Sequence, residues 1–157
     1  MNHTQNTRTV LSISPGVAGV ASADTHTVAI DTIGFDAVSI DVAYRSLANT
    51  AAPSVLGLRF ADADAATSYA TVSGLVQGTD YTVAGVSNTA VVNVTRFELG
   101  STKALPRFVQ VRVTPSAAGT TSGTNNDVVV AARLHKGEVG VDSAADANVT
   151  NRVVWQG

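Results

Sequence analysis

The strongest constraint on this chain is a side-chain period of two that recurs along most of its length. From Asp36 to Arg45, Val38, Ile40, Val42 and Tyr44 alternate with Ser39, Asp41, Ala43 and Arg45. Neighbouring side chains of an extended strand point to opposite faces, so this pattern specifies a strand with one buried and one wet face. Val55 to Phe60 repeats it, with Leu56, Leu58 and Phe60 facing in and Gly57 and Arg59 facing out. In Phe108 to Thr114, Val109, Val111 and Val113 alternate with Gln110, Arg112 and Thr114. Weaker strand patterns cover Arg8 to Ile13, His26 to Ile30, Ser68 to Ser73, Tyr81 to Val86, Ala90 to Leu99 and Val128 to His135.

Turn chemistry separates these runs. Ser14-Pro15-Gly16 presets one φ and then permits a positive one. Asn49 to Pro53 and Gln77-Gly78-Thr79-Asp80 read as turns, and Ser116 to Asn126 is a Gly/Thr/Ser/Asn loop too polar to bury. The one helical signal is a short Ala-rich turn over Asp62 to Ser68. Roughly eight strands at about ten-residue spacing predict an all-β fold, an antiparallel β-sandwich or jelly roll with extended termini. The length of 157 residues suits one such domain. Its expected bounds are 10–136, between an N-terminal arm, 1–9, and a C-terminal arm, 137–157.

The apolar residues are mostly Val and Ala; aromatic residues make up only 5% of the chain. Each fully buried Val contributes about 1.5–2 kcal/mol, so a modest core assisted by subunit contacts is expected. The only Trp, Trp155, sits in the C-terminal arm and is expected to dock, on its own domain or on a neighbour.

Charge and cysteine content remove whole classes of function. The net charge is −2, and the ten basic residues are scattered without a run. Nucleic-acid binding needs clustered cations to release counterions, so no nucleic-acid partner is expected. Without cysteine there is no disulfide, zinc–thiolate site or cysteine nucleophile. No stretch approaches the roughly 20 apolar residues of a membrane helix. Met1 to Val10 lacks the basic-then-apolar layout of a signal peptide, so synthesis and assembly in the cytoplasm are expected.

The residues that carry chemistry elsewhere form no recognisable constellation. His3, His26 and His135 have no neighbouring motif of the nucleophile-elbow, zinc-protease or phosphate-loop kind. Asp62-Ala63-Asp64 has the spacing that opens a calcium loop but lacks its Gly and closing Glu; with Asp24, Asp80 and Asp146 it reads as solvated acidic turns. Glu98 and Glu138 are too few and too distant in sequence to suggest a glycosidase pair. Asn93-Val94-Thr95 and Asn148-Val149-Thr150 match the N-glycosylation pattern by chance. Tyr44, Tyr69, Tyr81 and Trp155 are expected in the core and not on a sugar-stacking platform. No catalytic, cofactor-binding or metal-ligating residue is assigned, and the chain reads as a non-enzyme.

Three further stretches carry a resemblance. They are Asp31-Thr32-Ile33-Gly34-Phe35-Asp36-Ala37-Val38-Ser39-Ile40, Leu105-Pro106-Arg107-Phe108-Val109-Gln110-Val111-Arg112-Val113-Thr114-Pro115 and Val128-Val129-Val130-Ala131-Ala132-Arg133-Leu134-His135. In this order they resemble a family of small β-rich proteins encoded beside the head genes of tailed phages and prophages. Leu105-Pro106 stands where that family has a basic residue, and His135-Lys136 where it has Gly-His-Pro. The resemblance spans roughly residues 28–136 and implies a virion component. It would be a capsid decoration or cement protein on the shell exterior, with the major capsid protein as partner and a homotrimer as the favoured oligomer. The alternatives are a tail, head–tail connector or fibre component, and a carbohydrate-binding β-sandwich module.

Overall fold

The computed structural model describes residues 7–14, 25–26, 29–46, 55–83, 93–100, 104–114, 126–136 and 151–155. These hold ten strands: β1 (Thr7–Ser14), β2 (Thr25–His26), β3 (Ile30–Asp31), β4 (Ala37–Ser46), β5 (Val55–Ala61), β6 (Ala70–Val76), β7 (Asn93–Leu99), β8 (Phe108–Thr114), β9 (Asn126–His135) and β10 (Asn151–Val154). There is no helix among the described residues.

The strands form two sheets, β1-β9-β4-β7-β10 and β2-β8-β5-β6, with β3 also paired to β8. The pairings nest. β5 with β6 is the tip, followed outward by β4 with β7, β2 and β3 with β8, and β1 with β9. Successive pairs alternate between the sheets, and the lateral pairs β4–β9 and β5–β8 knit the wound ribbon together. A long antiparallel ribbon rolled this way is a jelly roll. β2 and β3 both run antiparallel to β8, at Thr25–His26 and at Ile30–Asp31.

The core lies between the sheets and follows the alternation read from the sequence. Val38, Ile40, Val42 and Tyr44 are buried, as are Val109, Val111 and Val113, while Ser39, Asp41, Ala43, Gln110, Arg112 and Thr114 are half-exposed. Phe97 is completely buried and meets the Tyr81 ring edge-on at 5.8 Å. Tyr81 spends its hydroxyl on the Leu56 carbonyl at 2.6 Å, so the ring buries without leaving an unpaired polar group.

Several sequence expectations shift. Gly57 faces outward as expected yet is buried, because β6 bulges beside it. From Arg59 back to Gly57 the register jumps from Thr71 to Val76. A Cβ on Gly57 would stand 2.7 Å from the Leu75 carbonyl oxygen. Phe60 is only partly buried and forms a ring contact described below. Asp62 to Ser68 holds a short turn as expected, closed by a Ser68 N–H to Ala65 carbonyl bond at 2.8 Å. Gln77 to Asp80 is the tight turn expected: Gly78 has φ 82°, and the Asp80 carboxylate accepts the Val76 N–H at 2.8 Å. Of the strand expected from Tyr81 to Val86, Tyr81 is a single bridge residue, Thr82 and Val83 lie outside any strand, and residues 84–86 lie outside the described residues.

At the N-terminus, ladder pairing with β9 begins at Thr7. At the C-terminus, Asn151–Val154 of the expected arm joins the first sheet beside β7. Pro15, Gly16, Asn49 to Pro53 and Ser116 to Asn125 lie outside the described residues.

Candidate interaction surface

Parts of the three stretches 31–40, 105–114 and 128–135 meet at one corner of the roll. Asp31 ends β3, and the chain then turns through Thr32, Ile33 and Gly34 into Phe35, whose N–H donates to the Thr32 carbonyl at 3.1 Å. Gly34 sits at φ 78°, the left-handed value that the third residue of a type II turn requires. The Asp31 carboxylate accepts the Ile33 N–H at 3.0 Å from below.

This turn is bolted to the second stretch. Arg107 donates to both Asp31 oxygens, Nε to Oδ1 at 2.7 Å and Nη2 to Oδ2 at 3.0 Å. Its guanidinium also lies 5.0 Å from the Phe108 ring centre. Thr32 is 3% exposed; its N–H donates to the Arg107 carbonyl at 3.0 Å and its hydroxyl to the Pro106 carbonyl at 2.5 Å. The third stretch closes the corner, because the Asp36 N–H donates to the His135 carbonyl at 2.9 Å. Gly100 lets β7 end against the same turn. It has φ 92°, and a Cβ there would collide with the Asp36 carbonyl oxygen.

The corner is therefore rigid backbone with little chemistry and one conspicuous side chain. Ile33 is 60% exposed at the tip of the turn, the most exposed large apolar residue among those described. A branched apolar group held by this many bonds loses little conformational entropy when a partner covers it. The sequence contained Ile33 in plain view but gave no sign of its exposure. Nor could it pair Asp31 with Arg107, 76 residues away.

The outer faces carry further cross-strand pairs. Arg96 grips Asp41 at 2.7 and 3.1 Å between β7 and β4, and Arg152 grips Glu98 at 2.9 and 2.5 Å between β10 and β7. Both are bidentate, the geometry that best fixes a charged pair. In the β5–β6 connection, Arg59 donates to the Tyr69 carbonyl at 2.5 Å, and the Tyr69 hydroxyl donates to Asp64 at 2.9 Å. Burial first, and then that bond to the carboxylate, push the Tyr69 hydroxyl up to about 12. Burial likewise raises Tyr81, with the nearby Asp80 charge adding to it. Neither shift produces a reactive group at neutral pH.

The residues singled out for chemistry stay apart. His26 is the ladder partner of Arg112, and the His135 carbonyl serves the corner, while His3 lies outside the described residues. Asp62 is exposed, and Asp64 accepts the Tyr69 hydroxyl. Among the described residues no three His, Asp or Glu side chains group as a metal site. Asp24, Asp146, Glu138 and the Asn148 glycosylation pattern lie outside the described residues. In the other such pattern, Asn93 and Thr95 are buried in β7, where a glycan has no room. Tyr44 and Tyr69 are buried, Tyr81 packs on Phe97, and Trp155 meets Phe60, so these aromatics form no exposed row.

Compared with known proteins, the chain matches no family model, no curated protein and no solved structure.

Proposed function

We propose that this chain is a structural protein of a tailed-phage particle, a decoration or cement protein that binds the exterior of the assembled head. The observation that carries the reading is the convergence at the Ile33 corner. Three stretches, separated in sequence by tens of residues, resemble one family of head-gene-associated proteins, and their bonds join them into a single rigid element. A jelly roll also serves lectins and cupins, so the fold by itself selects no role.

Such a protein works by binding alone. It stabilises a shell to the degree that it prefers the assembled lattice over free subunits. Preorganised apolar knobs and satisfied cross-strand ion pairs suit that task, since little has to be ordered on contact. Shell symmetry makes a trimer at local three-fold positions the natural format. The partner is the major capsid protein, and assembly takes place in the host cytoplasm.

The test is direct. Particles induced from the source cells are purified on a density gradient and probed for this chain, and the purified chain is sized by light scattering. Co-migration with intact heads, and release of the chain when the heads are dismantled, is the expected result. Recovery only with tails, or absence from particles altogether, overturns the reading.

A further inference from the structure

The C-terminal strand is attached differently from every other described strand. β10 runs parallel to β7, whereas all the other strand pairs are antiparallel. No hairpin can make a parallel neighbour, so the chain has to cross over. β9 leaves the first sheet at His135, level with Ala37, and β10 enters at Asn151, level with Thr95, with β4 and β7 in between. Three strand spacings and five residues of rise separate those points, a direct distance of about 20 Å. Residues 137–150 lie in the connection, and a chain of that length reaches about 45 Å when extended. The tether has length to spare.

What β10 occupies is a defined seat. Arg152 makes its bidentate pair with Glu98, and the Trp155 N–H donates to the Glu98 carbonyl at 3.0 Å. Val153 packs on the core from the edge. The Trp155 ring meets Phe60 at 5.0 Å and 80°, edge to face. Phe60 belongs to β5 in the other sheet, so a strand added to one sheet closes the open side of the sandwich against the second. Backbone pairing supplies affinity, and the Arg, Val and Trp positions supply specificity, as in recognition by strand addition.

We propose that this seat is a strand-exchange site whose second occupant is the C-terminal strand of another copy of the same chain. Every contact of residues 151–155 forms equally well within one chain or between two. The choice then depends on the local concentration of the competing strand against the effective concentration that its covalent connection gives the chain's own strand. A dilute chain docks its own strand. Copies held side by side on a lattice exchange strands and become mechanically linked. The exchange deepens the proposed virion role without resting on it.

The experiment uses two full-length variants, Glu98→Arg and Arg152→Glu. Each places like charges across its own seat, while the mixture offers each seat a complementary strand only from the other chain. The double variant, Glu98→Arg with Arg152→Glu, restores the pair within one chain and serves as the folding control. Trp155 is the only tryptophan, so its emission reports docking. Mixed in equal amounts at roughly millimolar concentration, the single variants are expected to form a species heavier by light scattering than either variant alone, with at least half the chains in it. Their Trp155 emission should return to the blue-shifted value of the double variant. A mixture that keeps the mass of the separate variants overturns the proposal, whatever its emission.

Discussion

Arg107 and Asp31 meet edge to edge across the β3–β8 pairing, with both guanidinium–carboxylate bonds at 3.0 Å or less. Their side chains are 41% and 34% exposed, so the attraction itself contributes about 0–1 kcal/mol. Its structural effect is to hold the carboxylate where it can accept the Ile33 N–H. The buried neighbour Thr32 carries more of the load. Thr32→Val removes the donor to the Pro106 carbonyl at nearly constant shape and is expected to cost about 1–3 kcal/mol. Arg107→Ala is expected to cost less than about 1 kcal/mol. Urea unfolding of the two variants checks the order, and a larger loss for Arg107→Ala would contradict it.

Two glycines with similar backbone angles should respond differently to the same change. Gly34 at φ 78° faces open space, so Gly34→Ala meets only left-handed strain, about 1 kcal/mol. Gly100 at φ 92° faces the Asp36 carbonyl and, at 2.8 Å, the Ala37 Cα. Gly100→Ala must move backbone as well and is expected to cost about 3 kcal/mol or more. Thermal unfolding of the pair measures the difference; equal losses would show that the close approach at Gly100 relaxes freely.

Alkaline pH should destabilise the roll through Tyr69 and Tyr81. The folded state raises Tyr69 from 10.0 to about 12 and raises Tyr81 as well, so native chains keep protons that unfolded chains release. The resulting stability is complete below the unfolded value of 10.0, declines as pH rises above it, and is gone once the folded value is passed. Denaturant midpoints should therefore fall between pH 10 and about 12. Tyr69→Phe should flatten that fall even though it loses the Asp64 bond. A midpoint independent of pH over this window would refute the assignment.

Ile33 separates binding from stability. Because the side chain is 60% exposed, Ile33→Asp should change unfolding free energy by no more than about 0.5 kcal/mol. Retention of the chain on purified heads should drop at least tenfold if the corner is the contact face. Unchanged retention would move the contact elsewhere on the roll.

The division into strands was legible because burial in a sandwich leaves a local trace. Val38, Ile40, Val42 and Tyr44 repeat every second position, and the core takes them on one face. Turns at Gln77 to Asp80 were legible for the same reason, since Gly and Asp act on their immediate neighbours. Gly57 shows where this logic stops. It alternates outward in sequence and is buried nonetheless, because a bulge in a different strand covers it. No period within β5 encodes what β6 does.

Local alternation and turn chemistry, both short-range properties of the chain, thus determined that this protein is an all-β sandwich. Which strands became neighbours was decided only in three dimensions. The rolling of the ribbon set Asp31 on Arg107, Thr32 under Pro106 and Arg152 on Glu98. It also brought the last strand in parallel, with Trp155 against Phe60. Such contacts join residues tens of positions apart, and their energy depends on register and sheet order, which neither partner's sequence neighbourhood contains. The exposed Ile33 is the sharpest case: nothing beside it in sequence marks it as exposed, and only the folded corner left it facing solvent.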